Sequence, residues 1–256
     1  MDTKYWGPGG WKLLHTISFA YSSPTADEKL CLNAFFSSLP YVLPCKYCRA
    51  SLSEYIIEHP LTAALESKAP FALAKWLWTI HNCVNAKLRS QKLHVEHDPP
   101  FQNVKQIYTK ELNSEFYGWE FLFSIVENHP YSRQSITGKP IKDCPHPDHL
   151  KQATLLEKNR WNALSPDERL PLVLQFWNSL PKVLPNKKWR EIWNSVEKDW
   201  SSRKTALKTL WKIKCKIDAE SNSKTFDGLC RELRMHRSGC GASLRAKTCR
   251  KKRGAK

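Results

Sequence analysis

Two stretches of this 256-residue chain share one frame, "SLPYVLPCKYCR" from Ser38 to Arg49 and "SLPKVLPNKKWR" from Ser179 to Arg190. Ser38, Leu39, Pro40, Val42, Leu43, Pro44, Lys46 and Arg49 recur as Ser179, Leu180, Pro181, Val183, Leu184, Pro185, Lys187 and Arg190. A repeat of this kind constrains the fold because one arrangement of secondary structure must suit both copies. Upstream, "ADEKL" meets "PDERL". More loosely, "GGWKLLHTIS" resembles "YGWEFLFSIV", and "WTIHNCVNAK" resembles "WKIKCKIDAE". The length suits two cores. The expected units are residues 1–103, a degenerate copy at 104–221, and a basic, cysteine-containing tail at 222–256.

The pattern inside the first copy is helical. Trp11, Leu14, His15 and Ser18 fall on one face of a first helix, preceded by a Gly7-Pro8-Gly9-Gly10 turn expected to lie outside any helix interior. Thr25 and the acids after it start a second helix that buries Leu32, Phe35, Phe36 and Leu39. After Pro44 a third helix carries Cys45 in its first turn, and Pro60 closes it. A fourth helix places Leu73, Leu77, Ile80, His81, Val84 and Leu88 on one stripe. No segment before Leu93 alternates as a strand, so the expected class is all-α: a four-helix bundle followed by a second, degenerate helical domain.

The copies differ where polar residues stand on otherwise apolar faces. His15 becomes Phe123, Cys45 becomes Asn186, Cys48 becomes Trp189, His81 becomes Lys214 and Asn82 becomes Cys215. The second copy keeps a fold and loses a site. Between its first two helices, "NHPYSRQSITGKPIKDCPHPDHLKQ" has the composition of an exposed loop.

Cys45-x-x-Cys48 is the chemical core of what is lost. Zinc needs four ligands and the chain has no second Cys-x-x-Cys, while a disulfide closing so short a loop gains little chain entropy. Redox use suits the placement better, because a helix start and the cations Lys46 and Arg49 favour a thiolate. Such a dithiol needs an electron acceptor. Trp11 and His15 on one helix, with His81, Asn82 and Asn85 on another, supply an aromatic plane, imidazoles and amides suited to a flavin.

"GPGGWKLLHT", "LPCKYCR", "EHP" and "HNCVNAKL" resemble, in order and spacing, the signature of the Erv/ALR family of FAD-linked sulfhydryl oxidases, over roughly Tyr5 to Phe101. The resemblance implies a four-helix bundle holding FAD, with Cys48 against the flavin and Cys45 as the outer sulfur attacked by protein thiols. Electrons would pass to oxygen, giving hydrogen peroxide. Gly7, Trp11, His15, His81, Asn82, Val84, Asn85 and Leu88 would line the cofactor, and Arg89 or Lys92 would reach its phosphates. The chain departs from the family at Trp78 and Val95, where a disulfide is common, and at Pro8, where arginine is common. The second copy resembles the pseudo-oxidase half of quiescin-type oxidases. That implies an intramolecular pseudo-dimer with one FAD per chain, higher oligomers remaining open. The lost staple and added domain also resemble members from large DNA viruses, whose place of action would be the infected cytoplasm or the virion.

The net charge of +17 is uneven, with ten Lys or Arg and one acid from Arg231 to Lys256. This tail motivates a rival reading, a basic nucleic-acid-binding or structural virion protein on a helical scaffold, but no nucleic-acid-binding motif accompanies it. Cys230, Cys240 and Cys249 offer a shuttle for electrons from bulky substrates. Cys144, His146 and His149 lack a fourth ligand, so no metal is expected. Cys31 and Cys83 read as small buried residues on helices. No apolar run approaches a bilayer span and the N-terminus lacks the order of a secretory signal, so neither membrane insertion nor export is expected.

Overall fold

A computed structural model describes residues 1–93, 95–110, 115–133, 135, 137–219 and 224–237. Among these are thirteen α-helices and no strand. The first copy comprises α1 (Thr3–Ala20), α2 (Ala26–Val42), α3 (Lys46–Glu58), the short α4 (Leu61–Glu66), α5 (Ala72–Ser90) and α6 (Phe101–Lys110). The second comprises α7 (Trp119–Glu127), two short helices α8 (Pro147–Leu150) and α9 (Leu155–Arg160), then α10 (Pro166–Val183), α11 (Lys187–Ser195), α12 (Arg203–Ile217) and α13 (Phe226–His236). No described helix is long and apolar enough to cross a membrane.

Local chemistry sets matching helix ends in the two copies. Thr25 and Glu28 form a capping box at the start of α2, as Ser165 and Glu168 do at α10, so backbone N–H groups lacking intrahelical partners are satisfied from both directions. At the far end, Arg49 Nη1 donates to the Leu43 carbonyl at 2.8 Å, and its counterpart Arg190 donates to Leu184 at 2.7 Å. A guanidinium thus closes the carboxyl end of each second helix, where the backbone dipole favours a cation.

The Gly7 to Gly10 run is not a turn outside the helix. It lies inside α1, which Asp2 caps by accepting from the Lys4 N–H. The reason is tertiary. A Cβ on Gly10 would sit 3.1 Å from Phe121 Cγ, and one on Gly118 would sit 2.9 Å from Leu13 Cβ. Under the repeat, Gly10 corresponds to Gly118 and Leu13 to Phe121, so each copy's glycine receives the other copy's apolar side chain. These residues favour a packing groove over a break, and Pro8 is carried within the helix.

The second helices meet with the same symmetry. Phe35 stacks on Phe176, its own counterpart three residues before Ser38 and Ser179, with centroids 5.2 Å apart. Gln175 Nε2, counterpart of Ala34, donates to the Ala34 carbonyl at 2.8 Å. A contact between a residue and its own equivalent lies on a two-fold axis. One hydrophobic core runs through both copies along this seam.

Three boundaries differ from expectation. The break after residue 103 falls inside α6, whose Tyr108 ring stacks on His15 and Phe19. Part of the expected tail is α13, held by buried Leu229 and Leu233 and by Arg237 Nε, which binds the buried Glu127 carboxylate at 2.6 Å. The remainder of that tail, with Cys240 and Cys249, lies outside the described residues. The stretch 128–152 is not wholly an exposed loop either, since Asn128, His129 and Ser135 are buried and the Asn128 carbonyl accepts from Arg169 at 3.0 Å. Beyond it, Asn159 is buried and donates to the Pro40 carbonyl and Ser53 Oγ, both at 2.9 Å, so α9 seats on the first copy.

Gly118 combines a φ of +102° with this close approach, so Gly118→Ala should cost about 2 kcal/mol or more in urea unfolding. At Gly7 a Cβ would meet nothing within 4 Å, and Gly7→Ala should stabilise the helix by about 0.5–1 kcal/mol. Equal effects at the two positions would contradict the packing described.

Candidate functional site

A cavity of about 510 Å³ opens between α1, α3 and α5. Its walls are mostly apolar, with Trp6, Leu14, Leu39, Leu52, Leu77 and Ile80 prominent, and Phe121 reaches in from the second copy. Cys48 lies on this wall, three positions into α3. Cys45 does not line it. It is the N-cap of α3 rather than a first-turn residue, and it is fully buried. The two neighbouring cations are directed elsewhere: Lys46 Nζ donates to the Lys139 and Pro140 carbonyls, and Arg49 Nη2 donates to Asn162 Oδ1 at 2.5 Å.

Gly7, Trp11, His81, Val84, Asn85 and Leu88 join Cys48 on the wall. His15, Asn82, Arg89 and Lys92 do not. His15 stands behind His81, with Nε2 to Nδ1 at 3.1 Å. Arg89 is engaged by Asp98, whose carboxylate it binds at 2.6 Å and holds below the usual aspartate range. Lys92 turns away after α5 in the left-handed region, φ 58°. Lys87 and Lys4 line the cavity instead, and Lys87 Nζ donates to Ser51 Oγ at 2.6 Å. Lys87 stands three residues after Val84 and seven after Ile80, at the edge of the same helical stripe, and only its charge set it apart from the apolar positions read as the inner face.

The imidazoles are tuned by burial. It pushes His15 down to about 3, with the nearby His81 charge adding to the effect, and His81 down to about 4, opposed by Asp98. Both rings are therefore neutral at pH 7. His15 Nδ1 is buried with no hydrogen-bond partner, and leaving a lone pair there costs less than leaving an N–H. The network thus assigns the proton to His15 Nε2, donating to His81 Nδ1, and leaves His81 Nε2 as the N–H donor. His81 stacks on Trp11 at 3.8 Å and 8°, so the pair holds a flat aromatic wall.

The same region of the second copy is filled. Phe116 packs on Trp119 at 4.3 Å and on Trp189 at 5.1 Å, all three buried. Lys214 lies 5.3 Å over the Trp119 ring where His81 stacks on Trp11 in the first copy. Trp189 takes the place of Cys48.

A probable FAD-linked sulfhydryl oxidase of Acanthamoeba polyphaga mimivirus is 32% identical over 123 residues, which are 48% of this chain and 83% of that protein. The chain belongs to the Erv1 / Alr family. The family match covers residues 8–108. The mitochondrial FAD-linked sulfhydryl oxidase of Saccharomyces cerevisiae is 32% identical over 92 residues, 36% of this chain and 47% of the yeast protein. A protein of Invertebrate iridescent virus 3, also named an FAD-linked sulfhydryl oxidase, is 30% identical over 94 residues, 36% of this chain and 62% of its own length. No solved structure matches the chain.

The cavity of this Erv1 / Alr chain fits the family's cofactor. Trp6 Nε1 is a buried donor without a partner on its wall, and the space beside Gly7 is open. Lys4 and Lys87 suit a diphosphate, while the apolar wall and the Trp11–His81 stack suit a flat ring system. Among the described residues no group of three or more His, Cys, Asp or Glu gathers as a metal site. Cys31 and Cys83 are partly exposed rather than fully buried.

Both histidines regain an ordinary value near 6.5 on unfolding. Their contribution to stability is present above about pH 6.5 and is lost as the pH falls towards their folded values, because the unfolded chain then binds more protons. The melting temperature should fall from pH 7 to pH 5, and His15→Phe, which copies Phe123, should reduce that slope by up to one proton. An unchanged slope would contradict the neutral pair.

Proposed function

We propose that this chain is an FAD-linked sulfhydryl oxidase that makes disulfides in protein substrates through Cys45 and Cys48. The observation that carries this reading is the position of Cys48 on the wall of an apolar cavity that also presents Trp11, His81 and two lysines. Bound FAD would supply a two-electron acceptor and pass the pair to oxygen, giving hydrogen peroxide.

The protein's part is thiol exchange and cofactor placement. A substrate thiolate attacks Cys45 Sγ of a Cys45–Cys48 disulfide, forming a mixed disulfide and releasing the Cys48 thiolate. The second substrate thiol attacks the mixed disulfide, so the substrate leaves oxidised by two electrons and the pair is left reduced. Cys48 is then the sulfur beside the cavity. His81 offers an N–H there, Lys4 and Lys87 offset anionic charge, and Trp11, Val84 and Leu88 exclude water.

The second half serves this site as an internal partner. The reciprocal glycine contacts and the Phe35–Phe176 stack support a pseudo-dimer within one chain. The filled region around Trp189 supports a second copy without flavin. The rival nucleic-acid reading rests on basic residues that lie mostly outside the described ones.

Purified protein should absorb near ~450 nm and consume oxygen with dithiothreitol. Cys48→Ser should keep the bound flavin and lose turnover by about a thousandfold or more. A colourless protein, or a Cys48→Ser variant that turns over normally, would refute the assignment.

A further inference from the structure

Thr3, Lys4, Trp6 and Gly7 on the cavity wall all belong to the start of α1. A helix start is prone to fray, because its leading N–H groups have no intrahelical partners. The cap here, Asp2 accepting from the Lys4 N–H at 3.0 Å, is exposed, yet Met1 and Trp6 are buried. A brace for this start comes from the end of α13. The His236 ring stacks on Tyr5 with centroids 4.1 Å apart and 11° between the planes, and the His236 carbonyl accepts from the Asp2 N–H at 2.9 Å. Tyr5 stands between Lys4 and Trp6, so fixing its ring fixes the turn that carries both.

Within the repeat, α13 is the counterpart of α6. Phe101 packs on Trp78 as Phe226 packs on Trp211, with centroids 6.0 and 5.7 Å apart, and three residues further on Val104 and Leu229 are both buried. The two helices are then fastened differently. Tyr108 of α6 stacks on Phe19. Continuing the match of His15 with Phe123, the residue in the place of Phe19 is Glu127, whose buried carboxylate takes Arg237 Nε at 2.6 Å and also Arg203. Removing a cation from a buried carboxylate is costly, so Glu127 fixes where the end of α13 lies. That end reaches across the seam to the first copy's α1.

We propose that the end of α13 positions the cavity wall: Arg237, locked to Glu127, holds His236 against Tyr5, and this keeps Lys4, Trp6 and Gly7 in place for the cofactor. His236 and Arg237 are positioning residues, since neither lines the cavity. A helix of the copy that lost its own site thus serves the site of the other. The consequence for the cofactor rests on the reading of the cavity as a flavin site. The order of the α1 start can be measured with or without flavin, so the two fail separately.

The test compares the full-length protein with its His236→Ala, His236→Phe and Arg237→Ala variants by two measurements: release of FAD on dilution, and amide hydrogen exchange at residues 3–7 with α10 as internal reference. His236 is only half-buried, so the fold tolerates its replacement. His236→Ala should speed both FAD release and exchange at residues 3–7 by about three- to tenfold, the worth of one aromatic stack. His236→Phe keeps a ring on Tyr5 and should restore both rates. Arg237→Ala should speed them by about tenfold or more, because Glu127 is left with Arg203 alone. Exchange in α10 should be the same in all four proteins. Unchanged exchange at residues 3–7 in His236→Ala, or a rise matched in α10, would overturn the brace. So would FAD release as slow from His236→Ala as from the unaltered protein. Loosening of residues 3–7 in a protein that takes up no FAD would uphold the brace and refute the flavin reading.

Discussion

Phe35 against Phe176, each in the place that the other holds in its own copy, is the contact from which the rest of the molecule follows. A two-fold seam through α2 and α10 brings α1 and α7 together, and there the exchange of Leu13 and Phe121 into the grooves at Gly118 and Gly10 fixes their spacing. Any larger residue at Gly10 would push Phe121 away from the cavity it helps to wall. The cavity is thus built by one copy and closed in part by the other.

Burying this seam strands polar groups, and arginines resolve much of the conflict. Arg169 is fully enclosed, with Nε donating to the Tyr41 carbonyl at 2.7 Å and Nη1 to the Asn128 carbonyl at 3.0 Å. Burial, with Arg49 nearby, disfavours its charge. The carboxyl ends of α2 and α7, which supply those carbonyls, offset that cost through their dipoles. The same logic recurs at Arg49 and Arg190. Cation placement at helix ends therefore ties the connection, α3 and the second copy into one unit.

Features governed by neighbours in sequence were legible. Thr25 caps α2, the Cys-x-x-Cys pair starts a helix, and His15 and His81 each stand on the inward stripe of their own helix, two stripes that the structure joins by a hydrogen bond. Features governed by distant partners were not. The Gly7 to Gly10 run reads as a break until α7 packs on it. Arg89 reads as a phosphate ligand until Asp98 engages it, while Lys87, a charge at the edge of the apolar stripe, reaches the cavity. Phe121 carries no local mark of a site residue, and α13 was hidden by the basic composition around it. The changes from Cys48 to Trp189 and from His81 to Lys214 were visible as losses, but only packing shows that the same substitutions fill the space.

Two copies proposed to act as the halves of one dimer, with only the first keeping a cavity, would give a chain that holds one flavin by itself. Flavin absorbance per chain, measured together with the molar mass of the same peak by light scattering, tests it directly. One flavin on a species with the mass of a single chain is the predicted result. Two flavins per chain, or one flavin held only by a pair of chains, would contradict it.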